Sequence, residues 1–294
     1  MAPRVSLTLG ALAAVALAAA QNPDVAVFAD LHPTFMRESS ERTVYRWFDA
    51  QGRPSVVGFR LLLEDGKRVL VAQRLTSYGG TSDADLLDEY YLEDPGAWRI
   101  GKQYLPFGRG QILRDTAPGA RIDTTLLLDE VPLRLAVVDA GPGRPRGIVG
   151  RVGRVAGVSF ALGDHFGIQG SSLTPFRHPS QNAGRGRGWG QALGFDFDIA
   201  VGSMRLQAEG ARLMRGATPD DPRSDLSDFR ASFPLPQQLP GTWTLGWARN
   251  WTTGLNVWRW ELDYLVDQKL SWRPYVRYSD GKVQEFGVSA RIRL

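Results

Sequence analysis

Between residues 241 and 294 the chain alternates between apolar and polar side chains in four consecutive segments, and few architectures tolerate such a pattern. In GTWTLGWARNW, Trp243, Leu245, Trp247 and Trp251 share one parity, while Thr244, Gly246, Ala248 and Asn250 share the other. VWRWELDYLV sets Trp258, Trp260, Leu262, Tyr264 and Val266 against Val257, Arg259, Glu261 and Asp263. The pattern recurs in SWRPYVRYS, and again in FGVSARIRL, which ends on the last residue. Period-two alternation is the strand signature, because successive side chains point to opposite faces of a sheet.

The residue types on the two faces indicate what each face meets. In a soluble sandwich the apolar face is a core, where Trp is sparse because its N–H needs a partner. Here that face carries six Trp and two Tyr, mostly near segment ends, as aromatic girdles sit at the two edges of a bilayer. Trp243, Trp251, Trp258, Tyr264, Trp272 and Tyr278 are the expected girdle. The opposite face mixes Arg, Glu, Asp, Ser and Gly, as a water-filled lumen would. The expected fold is therefore all-β, a transmembrane antiparallel up-and-down barrel; a secreted soluble sandwich is the competing class.

Residues 1–20 read as a secretory signal peptide, with Arg4, an apolar stretch and a small-residue cleavage pattern at Ala18, Ala19 and Ala20. No later stretch has the run of about 18 apolar residues that a membrane helix needs. Export without a hydrophobic helix, on a strand-rich chain, points to the outer membrane of a bacterium, with membrane lipid and lipopolysaccharide as the surroundings. With no Cys among 294 residues there is no disulfide framework, so closure of a sheet or a large core must hold the chain together. The formal charge of +4 comes from residues interleaved with apolar ones, not gathered in a patch, so it gives no sign of a nucleic-acid partner and none is expected.

Residues 21–42, with Pro33 and a polar stretch over 38–41, read as an irregular periplasmic or lumen lead-in, leaving 43–294 for the barrel. Sixteen strands can be counted there, with 14–18 as the range, beginning with separate strands at 43–49 and 55–63. The connections sort into two kinds. Short turns at 64–67, 94–96, 129–131, 154–156, 200–202, 236–241 and 267–269 alternate with connections that include long ones at 77–85, 106–120, 140–146, 164–188 and 214–226. Short turns on one rim and longer loops on the other are the barrel habit. The last strand is expected to close against the first, near residue 43.

Turn lengths also predict register. The turn at 267–269 sets Asp263 opposite Arg273 and Trp260 opposite Val276, and the turn at 280–282 sets Arg277 opposite Glu285. Gly246 and Ala248 are expected beside Glu261 and Arg259. A slip of one residue would drive these charges into lipid, at about 2–4 kcal/mol for each Arg at the bilayer midplane.

The segment Ile100-Gly101-Lys102-Gln103-Tyr104-Leu105-Pro106-Phe107-Gly108 resembles the strand ending in Pro-Phe-Gly of bacterial porins, general and phosphate-selective. It enters the third long-rim connection. The resemblance implies a sixteen-strand barrel, often a homotrimer, that passes small hydrophilic or anionic solutes and is narrowed by this loop, with Arg109, Arg114 and Asp115 at the constriction. It covers about nine residues closely and the rest only in architecture. The chain departs from it by ending in Leu294 and by lacking a lysine ladder. The expected lumen-lining side chains are Arg205, Glu209, Arg230, Arg259, Glu261, Asp263, Arg273, Arg277, Glu285, Arg291 and Arg293, whose balance suggests a weak anion preference. Paired charges that stiffen a wall are the alternative.

An outer-membrane lipid-modifying enzyme is the other reading. His165 lies near Ser171 and Ser172, but no positioned base with an orienting third group can be named, so no catalytic residue is expected. Three scattered His and no Cys give no metal site, and no cofactor motif is present. The basic loops at 141–147 and 184–188 lack the strand-loop-helix setting of a phosphate cradle.

Overall fold

The computed structural model describes residues 24–39, 43–75, 86–126, 130–166, 189–215, 223–236 and 239–294. The expected signal peptide, Ser171, Ser172 and the basic loop at 184–188 lie outside them. The strand segments in chain order are β1 (Val25–Leu31), β2 (Thr34–Glu38), β3 (Thr43–Arg46), β4 (Val56–Leu62), β5 (Arg68–Arg74), β6 (Leu87–Asp94), β7 (Trp98–Tyr104), β8 (Thr116–Leu126) and β9 (Val131–Asp139). They continue with β10 (Arg146–Val152), β11 (Ala156–Phe166), β12 (Trp189–Val201), β13 (Met204–Met214), β14 (Arg223–Pro234), β15 (Gly241–Asn250), β16 (Asn256–Leu265), β17 (Leu270–Ser279) and β18 (Lys282–Arg293).

Neighbouring segments all pair antiparallel and the sheet closes on itself, so no edge is left for another chain to pair with. The first four segments make two interrupted staves. β1 and β2 run along β18 in one register, with Asp30 opposite Arg293 and Thr34 opposite Ser289, and only His32 and Pro33 stand between them. β3 pairs with β2, Thr34 opposite Arg46, and β4 pairs with β1, Asp30 opposite Val56. β3 and β4 are therefore one stave from which residues 47–55 have been pinched out. Counted this way, the barrel among the described residues has sixteen staves.

The strand number agrees with the sequence reading, but two of its parts differ. The last strand closes against residues 29–38, not near residue 43, so the irregular lead-in expected over 21–42 is replaced over 25–38 by a wall stave. The segments expected at 43–49 and 55–63 are halves of one stave. The reason is chemical: Ala26, Phe28 and Met36 share the inward parity of Asp30 and Thr34, so apolar side chains occupy both faces and the alternation is erased.

Elsewhere the two faces are distinct. Val137, Val158, Leu193 and Phe195 are 56–59 % exposed on the outside, while Ala136, Ala161 and Ala192 beside them face inward and are buried. A soluble domain would not leave so large an apolar surface in water, and a barrel wall in lipid requires it. Trp258 pairs with Tyr278 and Tyr264 pairs with Trp272, all four on the outer face. The two pairs stand six residues apart, about 20 Å along the strands, placing one aromatic level toward each rim. Trp251, 54 % exposed, joins the level at the long-loop end, and Trp243 joins the other.

Charge register follows the turn arithmetic on the last three strands. Arg273 meets Asp263 at 2.6 Å, Arg277 faces Glu285, and Trp260 faces Val276. On β15 the expectation was two residues off: Gly246 lies beside Arg259 and Ala248 beside Val257. The Asn250 N–H donates to Leu255 O and the Gly254 N–H to Asn250 O, a tight hairpin that shifts the register.

Candidate functional site: the interior of the barrel

The connection between β7 and β8 does not stand up from the rim. Residues 105–115 fold into the barrel, where Phe107, Ile112 and Leu113 are at most 1 % exposed. Gly108 and Gly110 take φ of +53° and +69°, a left-handed backbone that lets the segment double back. The wall beneath is lined by small inward residues, Ala117, Ala136, Ala161, Ala192, Ala211 and Ala248, which join the loop side chains in one apolar cluster. At Gly194 even a Cβ would stand 2.7 Å from the Phe107 ring. Each large loop side chain seated this way contributes about 1.5–3 kcal/mol.

Polar contacts fix the loop's depth. The buried Glu209 carboxylate accepts the backbone N–H groups of Arg109, Gln111 and Ile112 at 2.8, 2.9 and 3.1 Å. Ser159 Oγ accepts the Gly108 N–H at 2.9 Å. Arg109 donates to Asp196 at 2.8 Å and to the carbonyls of Arg154 and Val155. Those two carbonyls belong to the short turn after β10, so a loop that enters from the long-loop rim is latched to the opposite end. Arg151 holds the other side of Asp196 through two nitrogens at 2.6 and 2.9 Å.

A second segment enters the lumen from the opposite wall. The Ser55 N–H donates to Trp47 O, Phe48 bridges Pro54, and the Asp49 N–H donates to Arg53 O, so residues 47–55 form a small hairpin. Its tip is closed by Gly52 at φ +72° and by Asp49 Oδ1, which accepts the N–H groups of Gln51 and Arg53 at 2.8 Å. The hairpin leaves the wall where β1 and β2 are broken: the His32 N–H donates to Ser55 Oγ at 2.7 Å. Across the lumen Gln51 accepts from Arg230 at 3.0 Å and points its amide at Glu261, while Asp49 stands 3.9 Å from Arg273.

This hairpin changes the reading of the wall. Arg230, Arg259, Glu261, Arg273, Arg277 and Glu285 do point inward, as the alternation required, but all are buried, with Arg259 only 2 % exposed. Glu209 is buried beneath the loop it anchors. Arg205 sits at the short-turn rim, bound to Asp198 at 2.6 Å, and Arg293 is exposed near the chain end. Arg291 is paired with Asp30 at 2.8 Å. Of the three residues expected at the constriction, Arg114 stacks 4.9 Å from the Tyr104 ring centre, whereas Asp115 is buried and accepts the Thr116 N–H at 2.8 Å. The loop and the wall do not by themselves frame the passage.

Between the two inserted segments lies a cavity of about 610 Å³. Arg53 reaches it from the hairpin, Arg109 and Arg114 from the loop, Arg121, Arg134 and Arg151 from β8 to β10, and Arg230 and Arg291 from the far wall. Among the described residues the one acid on its surface is Asp30. Sequence reasoning missed Arg53, Arg121, Arg134, Arg151 and Asp30. Alternation with the outward Ile122, Leu133 and Leu135 could have placed Arg121 and Arg134; nothing local marks Arg53, which lies in a turn.

The sequence matches no protein-family model and no curated relative. Solved structures resemble it in three dimensions. The anion-selective porin from Comamonas acidovorans superposes with a TM-score of 0.56 at 13 % identity, over 92 % of this chain and 98 % of that one. The outer membrane channel DcaP of Acinetobacter baumannii gives 0.58 at 9 % identity, over 92 % and 97 %. OmpT in its trimer form, an outer membrane protein of Vibrio cholerae, gives 0.58 at 9 %, over 92 % and 99 %. At these identities the likeness is one of fold. In fold, the chain is a porin-like β-barrel with sixteen staves and a loop turned into its lumen.

Proposed function

We propose that the protein is a passive diffusion channel for small hydrophilic solutes across a bacterial outer membrane, with a weak preference for anions. The observation that carries this reading is the arginine-lined cavity between the two inserted segments, where eight guanidinium groups outnumber one carboxylate. Rings of like charge in a low-dielectric bore raise the local concentration of counter-ions and set selectivity. Six of these arginines have an acid within 4.0 Å, namely Arg53, Arg109, Arg121, Arg151, Arg230 and Arg291, which tempers the field and is why the preference is weak. The anion-selective porin from Comamonas acidovorans, similar in fold, is consistent with the sign.

Lipid and lipopolysaccharide would contact the apolar outer face and its two aromatic levels. A homotrimer is the expected assembly, by analogy with the trimer form of the Vibrio protein. The reading gives the chain no catalytic role. Planar-bilayer recording of the detergent-extracted protein tests it: stepwise conductance with a reversal potential on the anion side is expected across a KCl gradient. A barrel that migrates as folded, shows heat-modifiable mobility and yet conducts nothing would overturn the channel assignment. A chain that stays soluble without detergent would overturn the membrane assignment.

A further inference from the structure

The hairpin pinched out of the second stave is more than packing. Its tip is rigid, held by the Asp49 turn and by Gln51 bound between Arg230 and Glu261, and it presents one cation to the cavity. The Arg53 side chain is 43 % exposed, whereas Arg230, Arg259, Arg273 and Arg277 on the wall behind are between 1 and 8 % exposed. Nearest to Arg53 among acids is Asp49, at a long 4.0 Å from Nε. Its Oδ1 accepts two backbone N–H groups, and its Oδ2 stands about as far from Arg273, at 3.9 Å. Among the described residues no hydrogen bond is made by the terminal nitrogens of Arg53, so a planar guanidinium edge is left facing the bore. Arg114, from the loop, lines the same cavity.

Resting on the channel reading, we propose that Arg53 is the selectivity-setting residue on the side of the pore opposite the inward loop. Of the arginines behind it, Arg259, Arg273 and Arg277 do not line the cavity, and Arg230, at its edge, braces the hairpin through Gln51. The passage then runs between two inserted segments, with Arg53 on one and Arg114 on the other, and the solutes it favours are small anions able to exchange water for a guanidinium edge.

The absence of Cys makes a direct test available, because Arg53→Cys creates the chain's one thiol. Folding is verified by heat-modifiable migration, and the channel is then recorded across a KCl gradient before and after a negatively charged and a positively charged methanethiosulfonate reagent. The negative adduct should lower anion-over-cation permeability by at least about twofold relative to the positive adduct, which should return it toward the native value. Arg277→Cys, at a buried wall position, should remain unlabelled in the folded barrel. The proposal is overturned if the thiol at 53 does not react in the folded channel, or if it reacts, as shown by mass, and the reversal potential does not move. A native protein that fails to conduct overturns the channel reading itself, and does so before any substitution is made.

Discussion

The carboxylate of Glu209 and the backbone N–H of Arg109 lie 2.8 Å apart, a contact that joins residues 100 positions apart in sequence and hangs the inward loop from the wall of β13. Gln111 and Ile112 donate to the same group. Glu209→Ala leaves three buried donors without an acceptor, each costing about 1–3 kcal/mol while the loop stays in place. The expected result is a loop that leaves its seat, giving larger, noisier single-channel conductance and faster tryptic cleavage at Arg109. Native-like conductance and cleavage would show that the anchor is elsewhere.

Gly194 and Phe107 make a complementary steric test. A Cβ at 194 would overlap the ring, so Gly194→Ala should destabilise the barrel by about 1–3 kcal/mol through overpacking. Adding Phe107→Leu should recover part of that loss. Urea unfolding of the two single variants and the double variant reads the coupling, and strict additivity would refute the contact.

The two loop arginines should differ in what they change. Arg114→Glu places a negative charge on the cavity surface and should lower anion-over-cation permeability with the pore size unaltered. Arg109→Glu instead brings a carboxylate against Asp196, Asp198 and two turn carbonyls, so the latch opens and conductance itself rises. Reversal potentials and unitary conductances separate the two outcomes; identical behaviour of both variants would remove the latch.

Depth in the bilayer can be read on one strand. Val276 and Tyr278 both face outward on β17, Val276 opposite Trp260 and Tyr278 opposite Trp258 at the aromatic level. Arginine at 276 should cost about 2–4 kcal/mol, and at 278 about 0–1 kcal/mol. Equal costs in lipid-vesicle unfolding experiments would mean that the aromatic level does not mark the interface.

How far each part of the protein could be read ahead depended on the range of the interactions that made it. Strands β12 to β18 were legible because an inward Asp or Arg alternates with an outward Trp or Phe, a contrast carried by the chain itself. The Asp263–Arg273 pair was legible because a short turn determines what lies opposite what. β1 and β2 were not, since Phe28 and Met36 face inward among apolar neighbours and remove the contrast. The hairpin at 47–55 takes up residues that the sequence divides between two strand segments and the gap between them. That β3 and β4 on either side of it continue one stave depends on which strands they pair with, and those pairings are long-range.

The candidate site divides the same way. That Arg230, Arg259, Arg273 and Arg277 face inward was determined by local parity. That Arg230 and Arg273 are covered was decided by Gln51 and Asp49, about 180 to 220 residues away in sequence, on the hairpin between β3 and β4. Likewise, Pro106-Phe107-Gly108 marked a loop, and the seat that draws it inward is a surface of small residues scattered over β8 to β15, visible only once the sheet has closed. By itself, then, the sequence determined a two-faced antiparallel wall and the charge register of its last three strands, because both follow from neighbours a few residues apart, whereas which segments make up the sixteen staves rests on long-range pairing. Which inward charges meet the solute was decided by the tertiary structure alone, because burial inside a closed barrel depends on what crosses its lumen.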